Sequence, residues 1–319
     1  MSAQGYSPLT KDQAFESTLV SVVITTKNEA KNIRNCLESI KSQSWANLEI
    51  IVIDNFSDDE TTKIANQYTN KVYLKGPERS AQRNFGMIEV AKGAYVLYVD
   101  ADMILSPILI ECCMQTALEK HYVALHLPEL VLGTNFFSRV RRFERTFYNG
   151  TPIDGARFFD RKTFVAAGGF DQKLFVSGSG EDWDIDKTIR KVGVIGQLTN
   201  SKKILDQDSW FLKSFIKERG IDYDPSYAGI YHNEAEFQLL PYLRKKYYYS
   251  VGFNGYIQKW GKNDPDIRRQ FGLHYRYIQV FTENGKWKQL LKNPQLAVGL
   301  YFLRFLVGIV YVIRRTKRV

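Results

Sequence analysis

Short runs of apolar, β-branched residues alternate with amphipathic stretches from Leu19 to about Gly133. The first run is LVSVVITT, residues 19–26. The stretch after it has apolar residues at helical spacing, at Ile33, Cys36, Leu37 and Ile40. Alternation of strand-like and helix-like periods is typical of a parallel sheet with crossover helices. The pattern therefore predicts an α/β domain.

Three further strands are predicted in the same half of the chain. The second is LEIIVIDN (48–55), which we expect to end at Asp54, with Ser57 or Asp58 capping the helix after it. The third is KVYLK (71–75), followed by a helix over SAQRNFGMIEVAKG (80–93) that ends at Gly93. The fourth is AYVLYVDAD (94–102).

Acidic residues stand where the second and fourth strands end, at Asp54, Asp100 and Asp102. In open α/β sheets, ligands bind at the carboxyl ends of the strands. Two carboxylates separated by one residue can turn toward one hard cation, and Mg²⁺ typically takes one or two carboxylates together with water and phosphate oxygens. The D-x-D spacing alone is unspecific, but its place after the fourth strand favours a metal site.

Composition bounds the class of protein. The chain has 319 residues, of which 44% are hydrophobic, so it can bury a full core. Its net charge of +10 predicts attraction to nucleic acid, anionic lipid or phosphorylated small molecules. The three cysteines, Cys36, Cys112 and Cys113, lack metal-site spacing and are expected to be reduced thiols packed in helices. The polar N-terminus lacks a signal-peptide pattern, which favours the cytosol.

Six segments carry a family resemblance through their sequence and order. They are SVVITTKNEAKNI (21–33), EIIVIDNFSDDET (49–61), SAQRNFGM (80–87), GAYVLYVDAD (93–102), AAGGFDQKL (166–174) and GEDWDID (180–186). Through these segments the chain resembles the family 2 glycosyltransferases, which are inverting enzymes with the GT-A fold. The resemblance covers residues 21–232. The resemblance implies a Rossmann-like, nucleotide-binding, mostly parallel sheet flanked by helices.

The resemblance and the composition after it together divide the chain. They give an N-terminal extension (1–18), a catalytic domain (19–235) and, from its aromatic, basic and apolar residues, a C-terminal helical, membrane-associated region (236–319). Within the catalytic domain we expect a nucleotide-binding half (19–133) and an acceptor-side half (134–235). Within the latter, residues 149–186 should form acceptor-side loops and one helix beginning near Glu181, because glycines and aromatics interleave there.

For the nucleotide-sugar donor, the resemblance implies that Thr25, Asn28 and Glu29 edge the nucleotide pocket. Asp54 would bind the base or ribose, where a buried carboxylate makes a strong bond to an N–H donor. Its alternative role is that of a turn residue. Arg83 would pair with phosphate through its two-pronged guanidinium.

For the metal, the resemblance implies a divalent cation, Mg²⁺ or Mn²⁺, with Asp102 as the more direct ligand. Asp100 would be a second ligand or would contact the ribose or sugar of the donor. His232 either faces the metal and diphosphate or packs as an ordinary histidine. The ion would stabilise the negative charge that builds on the leaving diphosphate.

For the acceptor, the resemblance places the catalytic base in GEDWDID, at Asp182, which would take the proton of the attacking hydroxyl. Helix capping is its alternative role. Repulsion among the four acidic residues there should raise the pKa of at least one of them. Glu181 is assigned to the acceptor side, and Trp183 either walls the acceptor site or packs in the core.

The implied activity is transfer of a hexosyl or N-acetylhexosaminyl group, with inversion, from a nucleotide-diphosphate sugar, with UDP expected. A sugar nucleotidylyltransferase is disfavoured, because TTKNEAKNI (25–33) lacks the glycine-rich phosphate loop. A non-catalytic nucleotide- or nucleic-acid-binding protein is the remaining alternative. No pattern of a nucleic-acid-binding fold accompanies the basic charge, so we expect no nucleic-acid partner.

The sequence of the C-terminal region indicates that it binds a membrane surface. RKKYYYSVGFNGYIQKWGK (244–262) mixes basic and aromatic residues, which suit a lipid interface or single-stranded nucleic acid. LAVGLYFLRFLVGIVYVI (296–313) has the length of a short span, but Arg304 lies in its middle. We expect it to lie in the cytoplasmic leaflet at the inner face of the cell membrane, peripheral or monotopic, rather than to span it or to be a buried soluble helix. The acceptor would then be a glycan or a sugar on a polyprenyl diphosphate.

Overall fold

Two β-sheets organise the chain. The computed structural model describes residues 17–174, 180–200, 210–233, 237–249 and 253–316. In chain order the strands are β1 (Val20–Thr26), β2 (Leu48–Asp54), β3 (Val72–Leu74), β4 (Tyr95–Asp100), β5 (Met103–Leu105), β6 (Ala124–His126), β7 (Glu129–Val131), β8 (Ala156–Asp160), β9 (Ile195–Gln197) and β10 (Ile230–His232).

The main sheet has the strand order β3-β2-β1-β4-β8-β6-β9. Neighbouring strands run parallel except on both sides of β8, which is antiparallel to β4 and to β6. A second sheet, β5-β10-β7, lies beyond the end of β4. The predicted α/β class with a mostly parallel sheet is therefore confirmed.

Helices cover both faces of the main sheet and form the C-terminal region. In chain order they are α1 (Ile33–Lys41), α2 (Thr61–Ala65), α3 (Arg79–Asn84), α4 (Leu109–Lys120), α5 (Phe136–Thr146), α6 (Arg161–Ala166), α7 (Glu181–Ile189), α8 (Leu212–Glu218), α9 (Leu239–Tyr249), α10 (Phe253–Trp260), α11 (Pro265–Phe271), α12 (Val280–Thr282), α13 (Trp287–Lys292) and α14 (Pro294–Thr316).

Alternating residues of the central strands pack into two separate apolar cores. Val22 and Ile24 face a core that includes α1 and α4, while Val23 faces a core that includes Met87 and Ile185 of the opposite layer. Both faces of β1 are buried, which explains why its sequence is continuously apolar rather than alternating. The three cysteines form no disulfide and are buried within α1 and α4, as predicted.

The helix that carries Arg83 is buried on nearly every side. Gln82 donates from Nε2 to the carbonyl oxygens of Thr26 (3.2 Å) and Ile53 (2.7 Å), which lie near the ends of two strands. Asn84 pairs with both backbone groups of Phe170 at 2.8 Å. After α3 the chain continues as a π-helical segment, Phe85–Val90. These polar residues are buried because they satisfy backbone groups of neighbouring segments.

Two predicted helix ends are wrong. The helical segment ends at Val90 rather than at Gly93, which instead lies where an added Cβ would stand 2.7 Å from the backbone of Leu19. Helix α2 begins at Thr61, and Asp59, not Ser57, accepts a hydrogen bond from its first backbone amide, at 2.9 Å. Ser57 is bound to Asp54 instead.

The C-terminal helices share a core with α5. Phe143 and Phe147 pack in one cluster with Phe281, Leu300 and Leu303. The predicted boundary at residues 235 and 236 falls within 234–236, outside the described residues. The C-terminal region is thus joined to α5 by an apolar contact as well as by the chain.

Helix α14 has one covered and one open side. Arg304 is buried, and its Nη2 lies 3.0 Å from Glu144 of α5. The other side exposes apolar side chains, among them Phe302, Phe305 and Val312. Among the described helices, this one is long and apolar enough, over 294–313, to cross a bilayer.

Gly86 lets the helical segment approach the sheet. A Cβ added there would stand 2.4 Å from Val23 Cγ1 and 3.1 Å from Ile53 Cγ1. We expect Gly86→Ala to lower the free energy of unfolding by about 1–3 kcal/mol, because overpacking displaces the helix from β1 and β2. Urea unfolding of this variant beside Glu89→Ala, an exposed position in the same segment, measures the effect. Equal stability of the two variants would contradict it.

Candidate active site

A cleft of about 1,100 Å³ opens at the carboxyl ends of β1 and β4. Thr25 and Asp100 are register partners on these neighbouring strands, and Thr25 Oγ1 donates to Asp100 Oδ1 at 3.2 Å. Asp102 lies two residues farther along, between β4 and β5. The cleft is thus where an open α/β sheet binds ligands.

Arg83 forms the buried floor of the cleft. Its side chain is 1% exposed, and its guanidinium lies over the ring of Tyr98 at 4.2 Å. Nη2 lies 3.3 Å from Asp100 Oδ1, and Nη1 lies 2.9 Å from Asp182 Oδ1 and 3.5 Å from Glu181. Burial lowers the pKa of Arg83, but Asp182, Tyr98 and Asp100 outweigh burial and raise it overall. The guanidinium therefore stays charged.

Asp182 faces the open cleft from the first turn of α7. The helix begins after Gly180, whose φ of 91° is in the left-handed region that favours glycine. Oδ1 of Asp182 accepts from Arg83 and, at 2.9 Å, from the Tyr98 hydroxyl. The Asp182 side chain is 36% exposed, whereas that of Glu181 is 2% exposed. Of the two carboxylates, Asp182 is the one an acceptor hydroxyl can reach.

The two carboxylates differ in pKa. Burial and the charge of Asp182 raise the pKa of Glu181, while Arg79 and Arg83 oppose the rise. Burial also raises the pKa of Asp182, but Arg83 and Arg157 outweigh burial and lower it overall. The expected rise thus falls on Glu181, and Asp182 is ionised at neutral pH. The same balance of burial against Arg83 and Arg157 lowers the pKa of Asp100.

His232 is brought to Asp102 by the second sheet. Its Nε2 lies 3.2 Å from Asp102 Oδ2, and its Nδ1 lies 2.7 Å from Glu129 Oε1. Strand β10 pairs with β5 and β7, and the amide of Asn233 donates to the carbonyl of Asp102 at 2.8 Å. The histidine is therefore held between two carboxylates and is not packed in an apolar environment.

The residues present fit a divalent cation that is completed by a ligand. Asp102 Oδ1 is buried without a hydrogen-bond partner among the described residues. A carboxylate on one ring nitrogen, as Glu129 is here, orients a metal-binding histidine toward the ion. Within the described ranges no group of three or more His, Cys, Asp or Glu side chains can hold a metal ion. Two protein ligands suit Mg²⁺ or Mn²⁺ that also binds phosphate oxygens.

The other predicted donor residues divide into two groups. Glu29 lines the cleft, and burial together with Asp102 and Asp100 raises its pKa. Asn28 and Asp54 are not among the lining residues: exposed Asn28 accepts at Oδ1 from the amide of Asp58 at 3.0 Å, and fully buried Asp54 accepts from the amide (2.7 Å) and hydroxyl (2.5 Å) of Ser57. In this conformation Asp54 has the alternative role, that of a turn residue.

Trp183 is packed and also lines the cleft. Its indole stacks on Phe253 at 5.6 Å, its Nε1 donates to the carbonyl of Ile153 at 2.9 Å, and its side chain lines the cleft. It therefore packs between α7 and the C-terminal helices and also walls the cleft.

Sequence reasoning missed several residues of the cleft: Arg79, Tyr98, Glu129 and Arg157. One of them had a signal, since strand alternation places Tyr98 and Asp100 on one face of β4. Arg79 lies 3.2 Å from Glu181, and Arg157 lies 3.6 Å from Glu129 and 3.9 Å from Asp100. Their segments carry no motif, and only the fold brings them to the cleft.

Comparison with known proteins finds glycosyltransferases. Residues 21–171 match the model of the family Glycosyl transferase family 2. The uncharacterized glycosyltransferase YibD of Escherichia coli is 39% identical over 106 residues, covering 31% of this chain and 30% of YibD. Glycosyltransferase GlyG of Streptococcus pneumoniae is 37% identical over 150 residues, covering 45% and 44%. Each match therefore spans less than half of the curated relative.

A solved structure extends the likeness of fold to nearly the whole chain. Mannosyltransferase PcManGT from Pyrobaculum calidifontis, in complex with GDP-Man and Mn²⁺, superposes with a TM-score of 0.50 at 18% identity. The match covers 93% of this chain and 82% of PcManGT. The architecture is therefore that of the GT-A enzymes, and residues 21–171 are the part of the chain that matches glycosyltransferase family 2.

Proposed function

We propose that the protein transfers a sugar from a nucleotide-diphosphate donor, with UDP the expected nucleotide, to a hydroxyl of a glycan or lipid-linked acceptor. The observation that supports this most is the convergence of three groups on one cleft. They are the Asp102–His232 pair, the buried guanidinium of Arg83 and the exposed carboxylate of Asp182. Each would meet one need of the reaction. The pair would hold the cation that binds the diphosphate, the guanidinium would supply positive charge, and the carboxylate would act as the base.

Asp102 and His232 would hold a divalent cation, with Glu129 fixing the histidine ring. When bound, the ion would supply charge stabilisation to the diphosphate. Thr25 and Glu29 would edge the nucleotide pocket, and Asp100 would hold Arg83 in place as well as face the donor. The mannosyltransferase of similar fold, whose complex contains GDP-Man and Mn²⁺, supports the metal.

Asp182 would act as the base of a direct displacement. Its Oδ1 is held by Arg83 and Tyr98, and no described residue donates to Oδ2. The acceptor oxygen would bond to the anomeric carbon and give its proton to Asp182. The bond to the diphosphate would break with its electron pair leaving on the nucleotide. Because Arg83 keeps Asp182 ionised, the base needs no prior deprotonation.

We further propose that α14 attaches the protein to the inner face of the cell membrane. Its exposed side is apolar, with Phe305 62% and Val312 64% exposed. Its other side is held on α5 through Leu300, Leu303 and the buried pair of Arg304 with Glu144. A helix covered on one side by its own domain suits an interfacial position, with the apolar side in the leaflet.

The metal and the nucleotide should bind together. Calorimetric titration with UDP is expected to show binding with Mn²⁺ and little without it, because two protein ligands leave the rest of the coordination to phosphate and water. Asp102→Ala should abolish binding, and Glu129→Gln should weaken it about 10–100-fold by releasing His232. Glu119→Ala, an exposed carboxylate on α4, is the control. If neither UDP nor GDP binds with either metal, the donor site is wrong.

The base should affect turnover more than binding. Once a donor and an acceptor are found by screening UDP-sugars, Asp182→Asn should lower kcat by about 10²–10⁴-fold with the affinity for UDP nearly unchanged. Asp184→Asn is the matched control, because that carboxylate faces Lys259 and Trp260 at 2.7 Å instead of the cleft. Equal losses of kcat in the two variants would indicate a structural effect and contradict the assignment.

Membrane attachment can be tested by sedimentation with vesicles containing anionic lipid. A triple variant with Gln at Phe305, Ile309 and Val312 should lose most vesicle binding, since each apolar side chain contributes about 1.5–3 kcal/mol when buried. The matched control carries Gln at Val192, Val194 and Phe211, which are equally exposed apolar residues elsewhere. Unchanged binding of the first variant, or equal loss in the control, would contradict attachment through α14.

A further inference from the structure

The cleft continues past Asp182 into a second part, here called the distal compartment. It is lined by Arg141, Glu144, Lys246, Arg276, Arg304 and Tyr311. These residues come from α5, α9, α14 and the π-helical segment Tyr275–Gln279. The donor and metal residues proposed above lie on other elements, so the distal compartment needs a separate role.

Cationic groups are concentrated at its inner end. Glu144 contacts Arg141 Nη1 at 2.5 Å and Arg304 Nη2 at 3.0 Å, so two arginines share one carboxylate. Burial raises the pKa of Glu144, but Arg304, Arg141 and Lys246 outweigh burial and set it at about 2. Glu144 is therefore ionised and counts as a single negative charge.

Arg276 adds a further positive charge beside this cluster. Its backbone oxygen accepts from Arg304 Nη1 at 2.8 Å, and its own guanidinium lines the cleft. Within the described ranges no acidic side chain pairs with Arg276, and its Nη1 is buried without a hydrogen-bond partner there, as is Nε of Arg304. Partly buried guanidinium groups with unused donors suit an anion with several acceptor oxygens, such as phosphate.

The outer end of the compartment is apolar. After Arg304, the residues of α14 that line the compartment begin with Val307, Gly308 and Tyr311, which lie at helical spacing. Tyr311 is about 10 Å from Arg304 along the helix axis. Gly308 allows the Tyr277 ring to pack against the helix, since a Cβ there would stand 2.7 Å from its hydroxyl oxygen. The lining ends at Val312, which is 64% exposed beside the apolar side of α14.

We propose that the distal compartment binds the phosphate or diphosphate of a lipid-linked acceptor. Arg276 and Arg304 bind the phosphate oxygens, and the lipid chain passes Val307 and Tyr311 toward the exposed side of α14. This assignment rests on the proposed transfer function and names its acceptor class. A sugar hydroxyl beyond the phosphate then reaches Asp182 from the side opposite the donor.

Direct binding of farnesyl diphosphate, inorganic pyrophosphate and farnesol tests the proposal. We expect farnesyl diphosphate to bind with EDTA present, at least about tenfold more tightly than pyrophosphate, with farnesol weakest, because the site combines arginines with an apolar wall. Saturating UDP with Mn²⁺ should not displace it. Arg276→Gln should weaken farnesyl diphosphate at least about tenfold, and Tyr311→Ser should weaken it without affecting pyrophosphate.

The control is Lys120→Gln, which removes one charge from the exposed end of α4. Thermal unfolding and binding of UDP with Mn²⁺ are measured on each protein, so that loss of fold or of the donor site is seen separately. Equal affinity of pyrophosphate and farnesyl diphosphate would exclude a lipid. Displacement by UDP, a requirement for metal, or unchanged affinity in Arg276→Gln would overturn the site. Failure of UDP to bind would reject the donor proposal and leave these readouts intact.

Discussion

The cleft depends on one buried guanidinium. Arg83 joins the end of β4 to the start of α7 by ion pairs with Asp100, Glu181 and Asp182, while its plane rests on Tyr98. A charge buried to this degree is tolerated only when it is paired and hydrogen-bonded, and removal of a partner from such a pair costs several kcal/mol. The carboxylates of the proposed donor and acceptor sides are therefore fixed relative to one another by their common partner.

The same pairing continues to the proposed metal ligands. Arg157 lies between Asp100 and Glu129, and Glu129 binds His232, which meets Asp102. Positive and negative groups thus alternate from α7 to Glu129, so that Asp100, Asp182 and Glu129 each have an arginine partner before any ligand arrives. An incoming diphosphate with its cation adds a nearly neutral unit to such a network, which leaves the existing pairs in place. Preorganisation of this kind reduces the rearrangement that the reaction requires.

Strands β1, β2 and β4 could be predicted because each contains at least four β-branched or aromatic residues within six or seven positions. Among the three-residue strands, β3 could be predicted from its place between two helical stretches, whereas β5, β7 and β10 could not, because three residues alone are too few to show a period. The family resemblance identified Arg83 and Asp182 as separate site residues. They are 99 residues apart, and nothing in their spacing predicts their ion pair. The predicted contact of Asp54 with base or ribose remains a prediction, since Ser57 occupies both of its oxygens here.

Arg304 shows why a charge within an apolar run is ambiguous in sequence. On a lone helix it would oppose insertion into a bilayer by about 2.5–3.5 kcal/mol. In the fold its guanidinium contacts Glu144 and the carbonyl of Arg276. The charge is therefore absent from the open side of α14, and placing that side in lipid does not require burying the charge there. The charge therefore does not prevent contact with lipid. It opposes a full span for another reason, because a helix leaving α5 to cross the bilayer would strand Glu144 beneath it, and separating a buried pair costs about 3–5 kcal/mol.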